Sequence, residues 1–176
     1  MTTFNSLTIF FFLCILISIP SSQCRTFQIN DESLIERTCK KTPYFNVCIE
    51  SLKSSPGSSS ATLRGLALIM VDVTKAKANE ALNIIHVLES AAGTEAKKGL
   101  ESCASKYNTI LVVDLPNAIK ALKIGDGKSA EKLGNNAAKE ATNCETEFNG
   151  TLTSYNNAVH DVAAVAAAIA RQLYTN

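Results

Sequence analysis

From about residue 61 onward, the apolar positions of the chain recur at steps of three and four, and nowhere do they alternate for more than a few residues. Steps of three and four place side chains on one face of an α-helix, whereas alternation is the mark of a strand. Leu63, Leu66, Met70, Val73, Ala81, Ile84 and Leu88 predict a first long helix over 61–91, ended by Gly93-Thr94. A second, over 95–123, carries Leu100, Cys103, Tyr107, Ile110, Ala118 and Leu122 inward, and Pro116 inside it should kink or interrupt it. A third, over 128–148, shows Leu133, Ala137, Ala141 and Cys144, and a fourth, over 153–174, shows Tyr155, Val159, Val162, Ala166, Ile169 and Leu173. Upstream, "DESLIERTCKKTPYFNVCIESL" reads as two short helices folded on each other over 31–53, separated from the rest by the Ser/Pro/Gly linker "KSSPGSSSA". Short connections between long helices favour antiparallel neighbours. The expected fold is all-α: an antiparallel up-and-down four-helix bundle over 61–174, preceded by an N-terminal helical hairpin.

The start of the chain follows a different pattern. "SLTIFFFLCILISIP" is a continuous apolar run of signal-peptide length, too short to span a bilayer as a helix. Ser22 and Cys24 suit the −3 and −1 positions of a cleavage site, so residues 1–24 read as a secretory signal peptide and 25–176 as the mature domain. This predicts the secretory pathway and no membrane association after cleavage. Four of the seven Phe residues fall in that leader, and the remainder is rich in Ala, Leu, Ile and Val and lacks Trp, a helical composition. Seventeen basic and sixteen acidic side chains leave a net charge of +1 without charged blocks. Such a balance supplies no electrostatic drive toward nucleic acid or an anionic membrane.

Setting aside Cys14 and Cys24 of the leader, four cysteines remain: Cys39, Cys48, Cys103 and Cys144. An even number in a secreted chain points to disulfides. Cys39 and Cys48 would lie roughly 13 Å apart along a continuous helix, and a disulfide needs Cα atoms within about 7 Å. Pro43, almost midway between them, lets a hairpin turn at Thr42-Pro43 bring them together. The midpoint of Cys103 and Cys144 falls between Lys123 and Ile124, beside Gly125-Asp126-Gly127, so two antiparallel helices flanking that turn hold both at one height. The expected pairs are Cys39–Cys48 and Cys103–Cys144. Structural zinc, the competing use of four thiols, draws on short Cys-x-x-Cys units that are absent here.

Gly127-Lys128-Ser129 has the form in which a nucleotide phosphate loop ends, but that loop needs another glycine five residues earlier, and position 122 is Leu. The preceding residues are helical in pattern where a strand is required. A turn explains the stretch better: Gly125 suits a helix C-cap, Asp126 caps the next helix, and Gly127 suits a tight turn. Catalysis has little to rest on. His86 and His160 each lie on a helical pattern, and His160-Asp161 are adjacent, hence about 100° apart around the helix. Asp72, Glu101 and Asp114 are scattered, so neither an enzyme site, a metal nor a cofactor is expected. Asn149-Gly150-Thr151 is a glycosylation sequon at the predicted turn between the last two helices.

"LIERTCKKTPYFNVCIESL", "LALIMVDVTKAKANEAL", Cys103, Cys144 and "NNAVHDVAAVAAAIARQLY" together resemble the plant invertase and pectin methylesterase inhibitors over essentially the whole mature chain. The resemblance implies a helical hairpin with a four-helix bundle, and disulfides paired first-to-second and third-to-fourth. "ALIMVDVTKAKAN" and "AVHDVAAVAAAI" look closer to the invertase branch. That similarity implies a proteinaceous inhibitor rather than an enzyme. It would seat the turn between the second and third bundle helices in the sucrose-cleaving cleft of a cell-wall or vacuolar invertase. The alternatives are a pectin methylesterase inhibitor, which would use the sides of the bundle helices, and a secreted helical binding protein without inhibitory action. The family's usual turn signature is Gly-Asp-Pro-Lys-Phe-Ala-Glu; here the matching residues are Gly125, Asp126, Gly127, Lys128, Ser129, Ala130 and Glu131. Asp126, Gly127, Lys128 and Ser129 are the implied target-binding residues. Glycine in place of proline is expected to loosen the turn, and serine in place of phenylalanine removes an aromatic anchor.

Overall fold

The computed structural model describes residues 32–148 and 150–175. The expected leader over 1–24 and the sequon asparagine Asn149 lie outside the described residues. Two short helices, α1 (Leu34–Cys39) and α2 (Phe45–Ser54), form the hairpin, and a 3-10 turn (Ser58–Ser60) leads into the bundle. The bundle consists of α3 (Leu63–Ala91), α4 (Thr94–Thr109) continued by α5 (Leu115–Lys123), α6 (Gly127–Glu147) and α7 (Thr153–Thr175), with no strand among the described residues. The architecture is the antiparallel four-helix bundle with an N-terminal hairpin that the periodicity predicts.

Helix starts are chemically marked. Ser33 accepts a hydrogen bond from the Glu36 backbone at 3.2 Å, and Thr62 accepts one from the Gly65 backbone at 3.2 Å, satisfying helix donors that would otherwise have no partner. The hairpin closes at Cys39–Cys48, whose Cα atoms are 5.5 Å apart. Gln172 of α7 donates to the Thr38 carbonyl at 3.1 Å and ties the hairpin to the bundle.

Pro116 does not break the second bundle helix. Proline offers no N–H and crowds the carbonyl four residues back, and the helix widens into one π-helical turn at Ile110–Asp114 before resuming as α5. The widened turn leaves Val112 and Val113 exposed and carries Asp114 inside, 4 % exposed. Asn136 bonds the Asp114 carboxyl, while its Oδ2 has no partner among the described residues. Burial pushes this carboxyl above its ordinary range, and the charge of Glu140 adds to the effect against the Asn136 bond.

Helix α7 is buried on most of its circumference, between α6 on one side and α3 on another. The buried face of α6 is built from small residues: Gly127, Ala130, Gly134, Ala137, Ala141 and Cys144 follow one another at steps of three and four, and Gly127 and Gly134 form the seam with α7. A Cβ on Gly134 would stand 3.0 Å from the Ala167 Cβ and 3.1 Å from its Cα, so the two backbones nearly touch there. This differs from the apolar stripe of the sequence, which places Leu133 inward. Leu133 is only partly buried, because a leucine in the seam would hold the helices apart. The same slip of one residue occurs on α3, where Ile85 is fully buried and Ile84 only partly.

At the far end of the bundle, Cys103 and Cys144 join α4 to α6 with Cα atoms 4.8 Å apart. Beside them the buried Tyr107 hydroxyl donates to Asn156 at 2.7 Å, and Asn156 donates to Glu145 at 2.6 Å. Burial, then the Glu145 charge, pushes the Tyr107 phenol well above its ordinary range, so it stays a hydrogen-bond donor.

Replacing Cys103 and Cys144 by Ser should cost about 4 kcal/mol and replacing Cys39 and Cys48 about 2.5 kcal/mol, in the order of the chain lengths they close; denaturant midpoints of the two variants measure this. Because the folded pKa of Asp114 is raised, its contribution favours the fold in acid and is lost as pH rises through that folded value. Asp114→Asn should therefore raise the melting temperature at pH 7.5 and lose that advantage as pH falls toward the ordinary carboxylate range, read by thermal melts across the interval.

Candidate functional site

The turn between α5 and α6 is specified by backbone chemistry before any partner is considered. Gly125 has φ +84°, the left-handed geometry that glycine adopts without a Cβ penalty. Its N–H donates to Leu122 at 3.1 Å and the Asp126 N–H donates to Ala121 at 2.9 Å. These are the paired bonds of a Schellman motif, and they satisfy the last carbonyls of α5. Asp126 then opens α6: its Oδ1 accepts from the Ser129 N–H at 2.9 Å. The Ser129 hydroxyl and N–H, helped by the Lys128 backbone and charge, hold the Asp126 carboxyl below its ordinary range. The capping roles expected of Gly125 and Asp126 are both present.

Gly127 occupies a different position from the one its sequence context suggests. It is the first residue of α6, is buried, and has no positive φ. A Cβ there would lie 2.8 Å from the Ala170 carbonyl oxygen, 3.0 Å from the Leu173 Cβ and 3.2 Å from the Tyr174 ring. Packing against the end of α7, rather than a need for positive φ, accounts for the glycine. Lys128 and Ser129 are exposed on the first turn of α6. The four residues singled out from sequence therefore divide into a cap, a buried contact and two outward side chains.

The C-terminus of α7 completes the site, a contribution that the turn's own sequence does not reveal. Glu131 accepts from the Arg171 Nε at 2.7 Å and pairs with its guanidinium at 2.5 Å, and the Tyr174 hydroxyl donates to the second carboxylate oxygen. Burial opposes ionisation of Glu131, but the bonds from Tyr174 and Arg171 outweigh it and hold the carboxyl below its ordinary range. On the other side, the Arg64 guanidinium of α3 lies 3.4 Å from where a Cβ on Gly125 would sit. Lys120, Lys123 and Lys128 are all exposed around the turn, with no ion pair to any of them among the described residues. Ile124, at the tip, is 81 % exposed. Arg171 and Tyr174 stand three residues apart, so they share one side of α7, but that this side meets Glu131 is seen only in the structure.

Other candidates do not assemble. The phosphate-loop reading fails because α5, a helix, precedes Gly127, and the Ser129 N–H already serves Asp126. His160 does reach its neighbour, with Nδ1 2.9 Å from Asp161, closer than their angular separation on the helix suggests. Its other contact is the Tyr44 hydroxyl at 3.5 Å, a hairpin-to-bundle contact with no Ser or Cys nucleophile. His86 pairs with Glu89 at 2.8 Å on the exposed side of α3. Asp72 and Glu101 are exposed on different helices. Among the described residues, no three His, Cys, Asp or Glu side chains converge as a metal site.

Gly127→Ala should destabilise the fold by about 1–2 kcal/mol, because the clash with the Ala170 backbone exceeds the gain in helix propensity. Asp126→Ala should lower the melting temperature through the lost cap, and Ser129→Phe, which removes the hydroxyl bond to Asp126 but keeps the Ser129 N–H bond, should lower it less. Thermal melts of the three variants check the order.

Comparison with known proteins agrees with this geometry. Residues 33–169 match the family described as plant invertase/pectin methylesterase inhibitor. The chain is 41 % identical over 143 residues to the cell wall / vacuolar inhibitor of fructosidase 1 of Arabidopsis thaliana, covering 80 % of this chain and 69 % of that protein. It is 31 % identical over 147 residues to the pectinesterase inhibitor of Actinidia deliciosa, covering 83 % and 78 % respectively. The crystal structure of mutant form A of a pectin methylesterase inhibitor from Arabidopsis superposes with a TM-score of 0.69 at 22 % identity, over 82 % of this chain and 99 % of that one, and shares its fold. With hairpin, bundle and both disulfides in place, the chain belongs to the plant invertase/pectin methylesterase inhibitor family, a family of enzyme inhibitors.

Proposed function

We propose that this protein inhibits an acid invertase (a β-fructofuranosidase) by seating the turn between α5 and α6 in the sucrose-cleaving cleft. The observation that carries the reading is the turn itself: Lys128 stands exposed on the first turn of α6, where the turn leading into it is tied by backbone bonds at both ends. A glycosidase cleft holds two carboxyl groups around the scissile bond, and a lysine ammonium placed between them gains charge-assisted hydrogen bonds. A loop ordered before binding gives up little conformational entropy on docking. Stiffness that a proline would supply by its ring is supplied here by the packing of Gly127 under α7. The 41 % identity to a fructosidase inhibitor supports this target.

Secretion belongs to the same proposal. The leader over 1–24 directs the chain to the apoplast or vacuole, where two disulfides persist, and Asn149 carries glycan. No helix among the described residues is long and apolar enough to cross a membrane. A second reading, inhibition of pectin methylesterase through the bundle sides, is favoured by Val112 and Val113, exposed beside one another at 68 % and 45 % on the π turn.

Titration of purified cell-wall and vacuolar invertases with the recombinant protein at mildly acidic pH tests the first reading. Sucrose hydrolysis should fall at submicromolar protein, and Lys128→Ala should weaken inhibition by about tenfold or more, as truncation of an interfacial charge does. Unchanged hydrolysis at micromolar protein overturns it, and a parallel pectin demethylation assay reads out the second.

A further inference from the structure

The fold makes no use of one side chain at the centre of the turn. Ile124 is the C-cap of α5, with φ −89° and ψ 0°. Its backbone N–H bonds to Lys120 at 3.2 Å, but its side chain is 81 % exposed, the most exposed of the large apolar side chains among the described residues. The hydrophobic contact that often accompanies a Schellman motif joins residues on either side of this position, and here the residue beyond Gly125 is Asp126, committed to capping α6. Isolated exposed apolar residues are common on any surface. Ile124 differs in its setting. It projects from a turn held rigid by the Gly125 bonds, the Asp126 cap, the buried Gly127 and the Glu131–Arg171–Tyr174 cluster. Exposed Lys123 and Lys128 flank it in the chain, and Arg64 borders the turn from α3.

We infer that Ile124 is the apolar anchor of the docking turn, a knob with a basic rim that fits a cleft with an acidic floor and apolar walls. A sugar-binding cleft has this chemistry: apolar and aromatic walls around a few convergent polar groups. The inference rests on the proposed inhibition and names its specificity determinant. Ser129 occupies the position where the aromatic anchor is missing, and Ile124 supplies apolar contact from the other side of Lys128. A side chain with few rotamers loses little freedom when it is buried at an interface.

The test measures inhibition constants and dissociation rates of Ile124→Ala, Ile124→Val and Lys128→Ala on the invertase that the wild-type protein inhibits, with melting temperatures alongside. Ile124→Ala should weaken inhibition at least tenfold through faster dissociation while its melting temperature stays unchanged, and Ile124→Val should retain most of the inhibition. Lys128→Ala should also speed dissociation, as loss of a charge paired in the cleft does, and should differ by reducing the dependence of inhibition on salt. Wild-type-like inhibition by Ile124→Ala, beside weakened Lys128→Ala, overturns the anchor and leaves the inhibitory turn standing. Absence of inhibition by the wild-type protein removes both.

Discussion

The close approach of α6 to α7 is the constraint on which the rest of the molecule depends. A methyl group added at Gly134 would meet Ala167 at 3.0 and 3.1 Å, which leaves no room for a larger residue at the centre of the seam. Interiors are packed to crystal-like density, and backbones that approach this closely have few alternative arrangements. The seam ends at Gly127, so the geometry that joins the two helices also fixes where α6 begins. The turn between α5 and α6 is in this sense the last element of a packing interface rather than a loop added to a scaffold.

Other interactions transmit that placement. Arg171 and Tyr174 reach from the end of α7 to Glu131 and hold the first turn of α6 in position. At the opposite end the Cys103–Cys144 bond and the Tyr107–Asn156–Glu145 chain tie α4, α7 and α6 together. Held at both ends, α6 cannot slide or tilt without breaking the exposed Glu131 bonds at one end or, at greater cost, the buried Tyr107–Asn156 bond and the disulfide at the other. The hairpin contributes less directly, through Gln172–Thr38 and Tyr44–His160, to the position of α7.

Much of this is legible in the sequence. Helix number, order and approximate length follow from the three-four spacing, and both disulfides follow from where Pro43 and Gly125 place the turns. Hydrophobicity misleads where small residues carry the interface: it points Leu133 inward where Gly134 is the contact, since glycine contributes to packing through what it lacks. The π turn is not legible beyond a kink at Pro116, because a helix can answer a proline by breaking, bending or widening. In the turn, the caps of Gly125 and Asp126 are local chemistry and can be read directly. The roles of Gly127, Arg171, Tyr174 and Ile124 depend on residues about forty positions away or on exposure, neither of which has a local signal.

The bundle thus presents, at one end, a turn surrounded by the exposed Lys120, Lys123 and Lys128, and this is the turn proposed to enter an invertase cleft. Hydrogen–deuterium exchange of the protein, free and bound to an acid invertase, tests this most directly. The account predicts new protection confined to the segment from Ile124 to the first turn of α6 and the facing start of α3, with the π turn at Ile110–Asp114 unchanged. Protection over the π turn and the sides of α4, with none at Ile124–Ser129, would contradict it.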